Sequence, residues 1–224
     1  MSTEFLRQQS LINQAKLSQL RVAIIGAGSV GGFTALALAK MGVTSFTIYD
    51  NDVVDTHNIS NQFFAKESLD TPKVVAIAQE LRRYCPTAVD VEVFNEFYSG
   101  QSLDKHDVVI VATDNIEGRA AALEASVKST KCLLFIDGRM GAETLRTFAF
   151  NPSVAVNRVK YYNDYIDGVA NEELPCTART IVYNVLMVAS LLASYVKKFV
   201  NGESIPFQVL FNFQDYTFAK TKVS

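Results

Sequence analysis

A glycine-rich turn carries the first residues that could bind a ligand. In the stretch VAIIGAGSVGGF an apolar strand gives way to a helix, and Gly26, Gly28 and Gly31 form a G-x-G-x-x-G spacing. Such glycines allow a tight turn and let backbone N–H groups approach phosphate oxygens, while the helix N-terminus adds partial positive charge. Asp50 closes the next strand, where a carboxylate can accept hydrogen bonds from ribose hydroxyls. The motif predicts a nucleotide site, and by itself it fits both NAD and ATP.

Polar and charged residues follow this turn in three further places. Asp52, Asn58 and Gln62 lie in the loop after the second strand, in NDVVDTHNISNQ. Lys73 opens a helix after a proline, and Asp114 follows the apolar run VVIVAT. The carboxyl ends of adjacent parallel strands meet in the crevice where ligands of such sheets bind. We therefore expect these side chains to converge in one crevice.

A lysine and an aspartate in the same crevice favour a nucleoside triphosphate over a dinucleotide. Lys73 can neutralise phosphate charge, and Asp114 can bind the magnesium ion that accompanies a triphosphate. A hydride-transfer site needs neither group. The alternatives are that Lys73 is a solvated residue of a first helical turn and that Asp114 only caps the helix beginning at Asn115. Jointly, the residues favour ATP with Mg²⁺.

The segments that would position these residues alternate between strand and helix patterns. Strands alternating with helices imply crossover connections, so we expect an α/β fold with a doubly wound, mostly parallel, Rossmann-like sheet. The turn DGRMGAE suggests a hairpin and hence an antiparallel extension of the sheet. The predicted strands are 21–25, 45–50, 89–94, 107–112, 132–137, 143–150 and 207–213, and the predicted helices are 4–19, 30–41, 70–84, 115–129 and 179–200.

The bulk composition argues against several classes of protein. With 49% hydrophobic and 20% charged residues the chain should fold around a sizeable core, and a net charge of −2 gives no case for general nucleic-acid binding. Neither a signal peptide nor an apolar run long enough to cross a membrane is recognised. The three cysteines form no C-x-x-C pair, which argues against a disulfide framework and a thiolate zinc site. We expect a cytoplasmic protein that does not bind membranes.

Several motifs over residues 5–150 resemble those of the ThiF/MoeB/HesA family and occur in the same order. Ubiquitin-activating enzymes share the adenylation fold of this family. The resemblance implies a single adenylation domain over 1–224, with an N-terminal helix in 1–20 and a nucleotide-binding core in 21–150. The remainder, 151–224, would comprise a loop at 151–178, a long helix and a last strand. The matching residues are Arg7 in LRQQSLINQAKL, Asp50 and Asp52, Asn58 to Gln62, Lys73, and Thr113-Asp114-Asn115 with Arg119.

The resemblance also implies an activity and roles for individual residues. The family activates a carboxylate as an acyl-adenylate with release of pyrophosphate, usually at the C-terminal glycine of a small ubiquitin-like or sulfur-carrier protein. Asp50 would hold the ribose, Lys73 the phosphates and Asp114 the magnesium ion. Asn58 and Gln62 would line the same pocket.

Arg7 and Asn61 concern whether the chain has all the phosphate-binding side chains of the family. By resemblance Arg7 would reach ATP bound to a neighbouring subunit, which implies a homodimer. Asn61 stands where the family usually has a second phosphate-binding arginine, and an amide replaces a guanidinium only partly. Either Arg7 and another basic residue, Arg139 or Arg146, compensate, or adenylation is slow or absent. The paired C-x-x-C motifs of many members are missing, so no structural zinc is expected.

Cys176 is a candidate nucleophile in the segment NEELPCTARTIVYN. A thiolate near a helix N-terminus is stabilised by the helix dipole, and Arg179 follows three residues later. The segment is similar to the Cys-Thr-x-Arg around the thioester cysteine of some ubiquitin-like activating enzymes, which implies a thioester after adenylation. The alternative is a small structural residue that anchors a loop.

Three other functions stay open. The same fold could activate a small-molecule or tRNA-borne carboxylate. It could also be the inert half of a heterodimer, as Asn61 suggests. An NAD-dependent oxidoreductase is the alternative from a different class of enzyme.

Overall fold

The computed structural model describes residues 3–85, 87–167 and 181–221. Within these ranges eight strands form one sheet. They are β1 (Arg21–Ile25), β2 (Ser45–Tyr49), β3 (Asp90–Phe94), β4 (Val108–Val111), β5 (Leu134–Gly141), β6 (Thr144–Phe150), β7 (Gln208–Asn212) and β8 (Thr217–Thr221).

The sheet has a parallel half and an antiparallel half. Its strand order is β3-β2-β1-β4-β5-β6-β7-β8. The pairs from β3 through β5 are parallel, and the pairs from β5 through β8 are antiparallel. In register, Ile25 at the end of β1 lies between Tyr49 and Val111, so three strands end at the same edge. The predicted Rossmann-like sheet with an antiparallel extension is confirmed.

Helices cover both faces of the sheet, and each face has its own apolar core. Ile24 and Ile25 are successive residues of β1 and belong to opposite cores, as the alternation of side chains along a strand requires. One core includes Leu192 and the other includes Tyr161, both fully buried. The helices are α1 (Gln14–Leu17), α2 (Ser29–Met41), α3 (Lys73–Tyr84), α4 (Ile116–Lys128), α5 (Ala155–Tyr162) and α6 (Val182–Asn201).

The predicted N-terminal helix at 4–19 is wrong. The chain instead forms a 3-10 helix, Thr3–Gln8, and then the single turn of α1. Asn13 starts α1 as its N-cap, because its side chain accepts a hydrogen bond from the backbone N–H of Lys16. Leu6 and Leu11 are 58% and 61% exposed, so the apolar spacing that suggested one helix is not a buried stripe.

The C-terminal part also differs from the prediction. The segment expected to be a loop contains α5 and a following π-helical turn, Asn163–Asp167. Tyr161 anchors α5 in the core, but Val156 and Val159 are exposed, so the apolar pattern did not indicate a helix. The last predicted strand is followed by another, β8, whose five residues are all exposed and give no alternating pattern.

The long helix α6 begins at Val182 and has 20 residues. Its inner face packs against α2 and against β5 and β6. Asn184 is fully buried there and donates to the carbonyl oxygen of Ala142 at 2.9 Å, which ties α6 to the turn between β5 and β6. Neither α6 nor another helix of the described ranges is long and apolar enough to cross a membrane.

Candidate active site

A cleft of about 480 Å³ opens at the carboxyl edge of the parallel strands. Four connections form its walls: the glycine turn between β1 and α2, the loop between β2 and α3, the segment after β3, and the turn between β4 and α4. The residues that line it include Gly26, Gly28, Ser29, Tyr49, Asp50, Asp52, Asn58, Asn61, Gln62, Lys73, Glu96, Phe97, Tyr98, Thr113, Asp114 and Asn115. Most of the residues predicted from the sequence are therefore brought together.

The glycine turn is packed so closely that two of its glycines have no room for a side chain. Gly26 has a φ of +99°, and a Cβ there would lie 2.8 Å from the carbonyl group of Ala112. A Cβ on Gly31 would overlap the carbonyl oxygen of Gly26. At Gly28, by contrast, a Cβ would meet only Gln62 Oε1 at 3.8 Å. The space in front of Gly28 is the cleft itself.

We predict that two alanine substitutions in this turn affect different properties, one the stability of the fold and the other the binding of ATP. Gly31→Ala should destabilise the fold by about 1–3 kcal/mol or more, because the new methyl group overlaps backbone that cannot move aside. Gly28→Ala should fold normally and bind ATP more weakly, because its methyl group projects into the cleft. Urea unfolding and calorimetric titration with ATP measure the two effects. Equal stabilities for the two variants would contradict this account of the turn.

Asp50 connects the glycine turn to the end of β2. Its carboxylate accepts hydrogen bonds from the backbone N–H groups of Ala27, at 2.6 Å, and Asp52, at 2.8 Å. Burial raises the pKa of Asp50, and these two hydrogen bonds and the charge of Lys73 act in the opposite direction. A ribose contact at Asp50 would therefore add to a structural role that the side chain already has.

Lys73 lies at the start of α3 with its ammonium group in the cleft. Its Nζ donates to Asp52 Oδ2 at 2.7 Å, and its side chain is 8% exposed while that of Asp52 is 58% exposed. The backbone N–H of Lys73 also donates to the carbonyl oxygen of Asp52 at 2.9 Å. A solvated first-turn lysine is therefore ruled out for Lys73. The pair holds a cation at the wall of the cleft, where an anionic ligand could share it.

The loop between β2 and α3 contributes three amide side chains. Asn58 is buried, and its Oδ1 accepts from the backbone N–H of Asp55 at 2.9 Å, so this oxygen holds the loop together. Asn61 Oδ1 and Gln62 Oε1 are buried and have no hydrogen-bond partner among the described residues. Buried polar atoms without partners are rare in folded proteins. Both residues line the cleft, so a bound ligand is one source of the donors that these oxygens lack.

Asp114 follows β4 and is exposed at the mouth of the cleft. Asn115, not Asp114, caps α4, because its Oδ1 accepts from the backbone N–H of Gly118 at 2.7 Å. The capping alternative for Asp114 is therefore wrong. Within the part of the chain that the structure describes, no hydrogen bond or ion pair engages the Asp114 carboxylate.

The described residues contain no group of three or more His, Cys, Asp or Glu side chains that could hold a metal ion. Mg²⁺ commonly binds through one or two carboxylates together with phosphate oxygens of a nucleotide. The free carboxylate of Asp114 fits that mode of binding.

Aromatic residues beyond β3 line the cleft and were not predicted from the sequence. Phe97 and Tyr98 follow Glu96 in the run NEFY, and Phe97 is 46% exposed. Tyr49 stacks on Phe94 with 4.7 Å between ring centroids and meets the edge of Tyr98 at 5.0 Å. The sequence signal that could have indicated these residues is the cluster of aromatic residues at the end of the third strand. This cluster offers an apolar wall to a flat ring system.

Arg7 does not line the cleft of its own chain. Its neighbour Gln8 donates from Nε2 to the carbonyl oxygen of Met41 at 2.6 Å. Met41 ends α2, whose 13 residues span about 20 Å and whose N-terminus borders the cleft. Arg7 is thus exposed at the far end of α2.

The other predicted residues lie elsewhere. Cys176 falls outside the described residues. Arg139 pairs through Nε with Asp137 at 2.7 Å, and the guanidinium of Arg146 lies 5.4 Å from the ring centroid of Tyr165. Neither arginine lines the cleft, so the structure does not bring either of them to the site beside Asn61.

The fold and the cleft define a Rossmann-like α/β protein whose ligand site suits a nucleotide. A glycine turn at a helix N-terminus, a paired lysine and a free carboxylate meet at the carboxyl edge of its sheet. The chain belongs to the ThiF family, which it matches over residues 4–224. This membership confirms the resemblance noted in the sequence.

Two relatives that the chain matches are much longer proteins. The chain is 31% identical over 144 residues to the ATP-dependent ubiquitin transferase-like protein Cap2 of Vibrio cholerae, covering 59% of this chain and 25% of that protein. It is 33% identical over 125 residues to the adenylyltransferase and sulfurtransferase MOCS3-1 of Zea mays, covering 54% of this chain and 27% of that protein. The chain thus spans about a quarter of the length of these two relatives.

Solved structures share the fold over nearly the whole chain. Escherichia coli MccB with ATP superposes with a TM-score of 0.78 at 16% identity, covering 99% of this chain and 72% of that one. PaaA superposes with a TM-score of 0.75 at 20% identity, covering 94% of this chain and 66% of that one. At these identities the likeness concerns the fold alone.

Proposed function

We propose that the chain is an ATP-dependent adenylyltransferase that activates the C-terminal carboxylate of a small ubiquitin-like or sulfur-carrier protein. In this reaction a carboxylate oxygen bonds to the α-phosphorus of ATP. The bond from that phosphorus to the oxygen of the leaving pyrophosphate breaks, so an acyl-adenylate and pyrophosphate form. Negative charge is redistributed over the phosphate oxygens during transfer, and positioned cations and donors lower the barrier.

The observation that carries this proposal is the arrangement of charge around the glycine turn. The Lys73 ammonium and the free Asp114 carboxylate both line the cleft that the N-terminus of α2 borders. Hydride transfer to or from a dinucleotide requires neither a cation for a terminal phosphate nor a carboxylate for Mg²⁺. These two residues therefore favour ATP over NAD.

Each wall of the cleft has a role in the proposed reaction. Lys73 binds the phosphates and Asp50 the ribose, while the oxygens of Asn61 and Gln62 accept hydrogen bonds from the bound ligands. Asp114 holds Mg²⁺, which would supply positive charge beside the phosphates. Asn58 keeps the loop in the shape that brings these groups together.

A small carrier protein is the substrate class that the relatives support best. Their names describe a ubiquitin transferase-like protein and an adenylyltransferase with sulfurtransferase activity. The second candidate is a small-molecule or tRNA-borne carboxylate activated on the same fold; MccB, which shares this fold, has been solved together with MccA. A thioester at Cys176 would be a later step, in which the thiolate displaces AMP from the acyl-adenylate.

Pyrophosphate exchange tests the proposal directly. The purified chain is incubated with ATP, Mg²⁺, labelled pyrophosphate and one candidate carboxylate, and label in ATP is counted. Exchange that depends on a small protein ending in glycine is the expected result. Exchange with only a small-molecule or tRNA-borne carboxylate would select the second candidate. Stabilisation by Mg²⁺-ATP without exchange would indicate an inert subunit, and stabilisation by NADH alone would indicate an oxidoreductase.

Mixing two inactive variants tests whether Arg7 acts on the ATP of a partner subunit. We expect Arg7→Ala and Lys73→Met to be inactive alone and to regain about a quarter of wild-type exchange after mixing and subunit exchange, because half of the dimers then carry one intact site. If Arg7 acts on the ATP of its own subunit, the mixture of the two variants should stay inactive. If the wild-type chain sediments as a monomer and has full exchange activity, the reaction does not require a dimer.

Trapping distinguishes the roles of Cys176. A conjugate sensitive to reducing agent should form between carrier and wild-type chain and be absent from Cys176→Ala. Exchange activity in both proteins without any conjugate would leave adenylation in place and remove the thioester step.

A further inference from the structure

A buried charged cluster lies beside the cleft and has no part in the proposed chemistry. We call it the Asp137 cluster; it consists of Asp137, Arg119, Arg139 and Tyr161. Asp137 is fully buried in β5, level with Val111, the last residue of β4. Its carboxylate accepts hydrogen bonds from Arg119 Nη1, from Arg139 Nε at 2.7 Å and from the Tyr161 hydroxyl at 2.6 Å.

Arg119 connects this cluster to the wall of the cleft. Its Nη1 pairs with Asp137, and its Nη2 donates to the carbonyl oxygen of Thr113, the residue before Asp114. On the opposite side, the backbone N of Thr113 approaches Gly26 so closely that a Cβ on Gly26 would lie 2.8 Å from it. The backbone of Thr113 is therefore held between the glycine turn and the Arg119 guanidinium.

Two properties of this contact make it specific for arginine. A guanidinium presents several N–H groups in a rigid plane, so it can bind a carboxylate and a carbonyl oxygen at once, whereas an ammonium is a single point of charge. Arg119 and Asp137 are also almost fully enclosed, with side chains 8% and 0% exposed, so neither charge has water as an alternative partner. The direction of the guanidinium fork is thus set by Asp137.

We propose that Arg119, oriented by Asp137, is a positioning residue that fixes Thr113 and thereby places the Asp114 carboxylate against the glycine turn. The inference rests on the proposed function, since that is where Asp114 is assigned to Mg²⁺. Arg119 does not line the cleft and touches no reacting atom; it acts through the backbone of Thr113.

Arg119→Lys and Arg139→Lys form a matched pair for the test. Both arginines bind Asp137, and both changes keep the positive charge. Arg139 donates its remaining hydrogen bonds to the carbonyl oxygen of Tyr165 at 2.9 Å and to the Tyr161 hydroxyl at 3.0 Å, away from Thr113. Arg119→Lys should therefore disturb the segment that carries Asp114 much more than Arg139→Lys does.

Two measurements are made on the full chain. Amide deuterium exchange, followed in peptides that cover 112–118, reports on the segment without requiring activity. The Mg²⁺ concentration for half-maximal pyrophosphate exchange reports on Asp114. For Arg119→Lys we expect faster deuterium exchange at the hydrogen-bonded amides of Ala112 and Gly118, which flank Thr113 and Asp114. We also expect a Mg²⁺ requirement raised about 10–100-fold and recovery of activity at high Mg²⁺. Arg139→Lys, which leaves the bond from Arg119 to Thr113 in place, should change both measurements by much less.

Equal effects of the two lysine substitutions would overturn the inference, as would unchanged deuterium exchange at the amides of Ala112 and Gly118 in Arg119→Lys. Should Arg119→Lys fail to fold, Tyr161→Phe replaces it: losing one donor to Asp137 should loosen the same amides to a smaller extent, and unchanged amides would again overturn the inference. Wild-type protein without pyrophosphate exchange would remove the proposed function, while the deuterium exchange would still decide whether Arg119 positions the segment.

Discussion

Replacing Lys73 by methionine is expected to lower pyrophosphate exchange by about 100–1000-fold, because a preorganised cation beside the transferring phosphate is lost. The stability of the fold should change little. Methionine matches the length of the lysine stem and packs in apolar surroundings. The partner Asp52 is 58% exposed, so water can solvate the carboxylate that the substitution leaves unpaired.

Lys66→Met is the matched control for this substitution. Lys66 lies in the same connection between β2 and α3, but it is exposed and does not line the cleft. We expect wild-type exchange from Lys66→Met and weak ATP binding from Lys73→Met in calorimetry, with similar melting temperatures for both. Full ATP affinity in Lys73→Met would show that the Lys73–Asp52 pair is only structural, and the assignment to a triphosphate would then fail.

The convergence of the site could be predicted from the sequence because it follows from topology. Asp50 comes directly after the buried strand β2, and Asp114 comes three residues after the end of the buried strand β4. Parallel neighbours end at one edge of the sheet. Lys73 required one more step, since it follows a long loop. The loop returns to the edge of the sheet through a bridge between Val53 and Pro72, which places the start of α3 beside Asp52. The proline before a helical pattern was the local signal for that position.

The parts that the sequence did not predict depend on contacts between distant segments. Arg119 and Asp137 are 18 residues apart, and nothing in their spacing shows that a guanidinium would bind both Asp137 and the Thr113 carbonyl. The exposed strand β8 is held by its pairing with β7 and not by burial of its own side chains. The turn α1 is likewise defined by a cap, Asn13, and by a contact of that residue with Asn201 at 2.9 Å. Hydrophobic periodicity in a sequence indicates an element with one buried face, so it does not predict elements that lack such a face.

The glycine turn alone does not decide between NAD and ATP, and the structure explains why. Asp50 accepts hydrogen bonds from the backbone of the turn, so an acid at this position serves the fold whichever ligand binds. The same holds for Gly31, which is required by the close approach of Gly26. Beside the paired Lys73, the groups without a structural partner carry most of the information about the ligand. Among the described residues of this cleft they include the oxygens of Asn61 and Gln62 and the carboxylate of Asp114.

Asp114→Asn should therefore separate chemistry from stability more cleanly than any other change in the cleft. The amide keeps the size of the side chain and removes the charge that would hold Mg²⁺, so we expect pyrophosphate exchange to fall about 100–1000-fold. Because Asn115 caps α4 and Asp114 is exposed, the free energy of unfolding should stay within about 0.5 kcal/mol of wild type.

Glu117→Gln provides the control for this loss of charge. Glu117 is an exposed acid in the first turn of the same helix and does not line the cleft, so its amide should leave exchange and Mg²⁺ dependence unchanged. Activity is measured over a range of Mg²⁺ concentrations for both variants, and stability by urea unfolding. If Asp114→Asn retained wild-type exchange at low Mg²⁺, the metal would be held elsewhere. Arg119 would then not position a ligand of the metal, because the segment that it fixes would carry none.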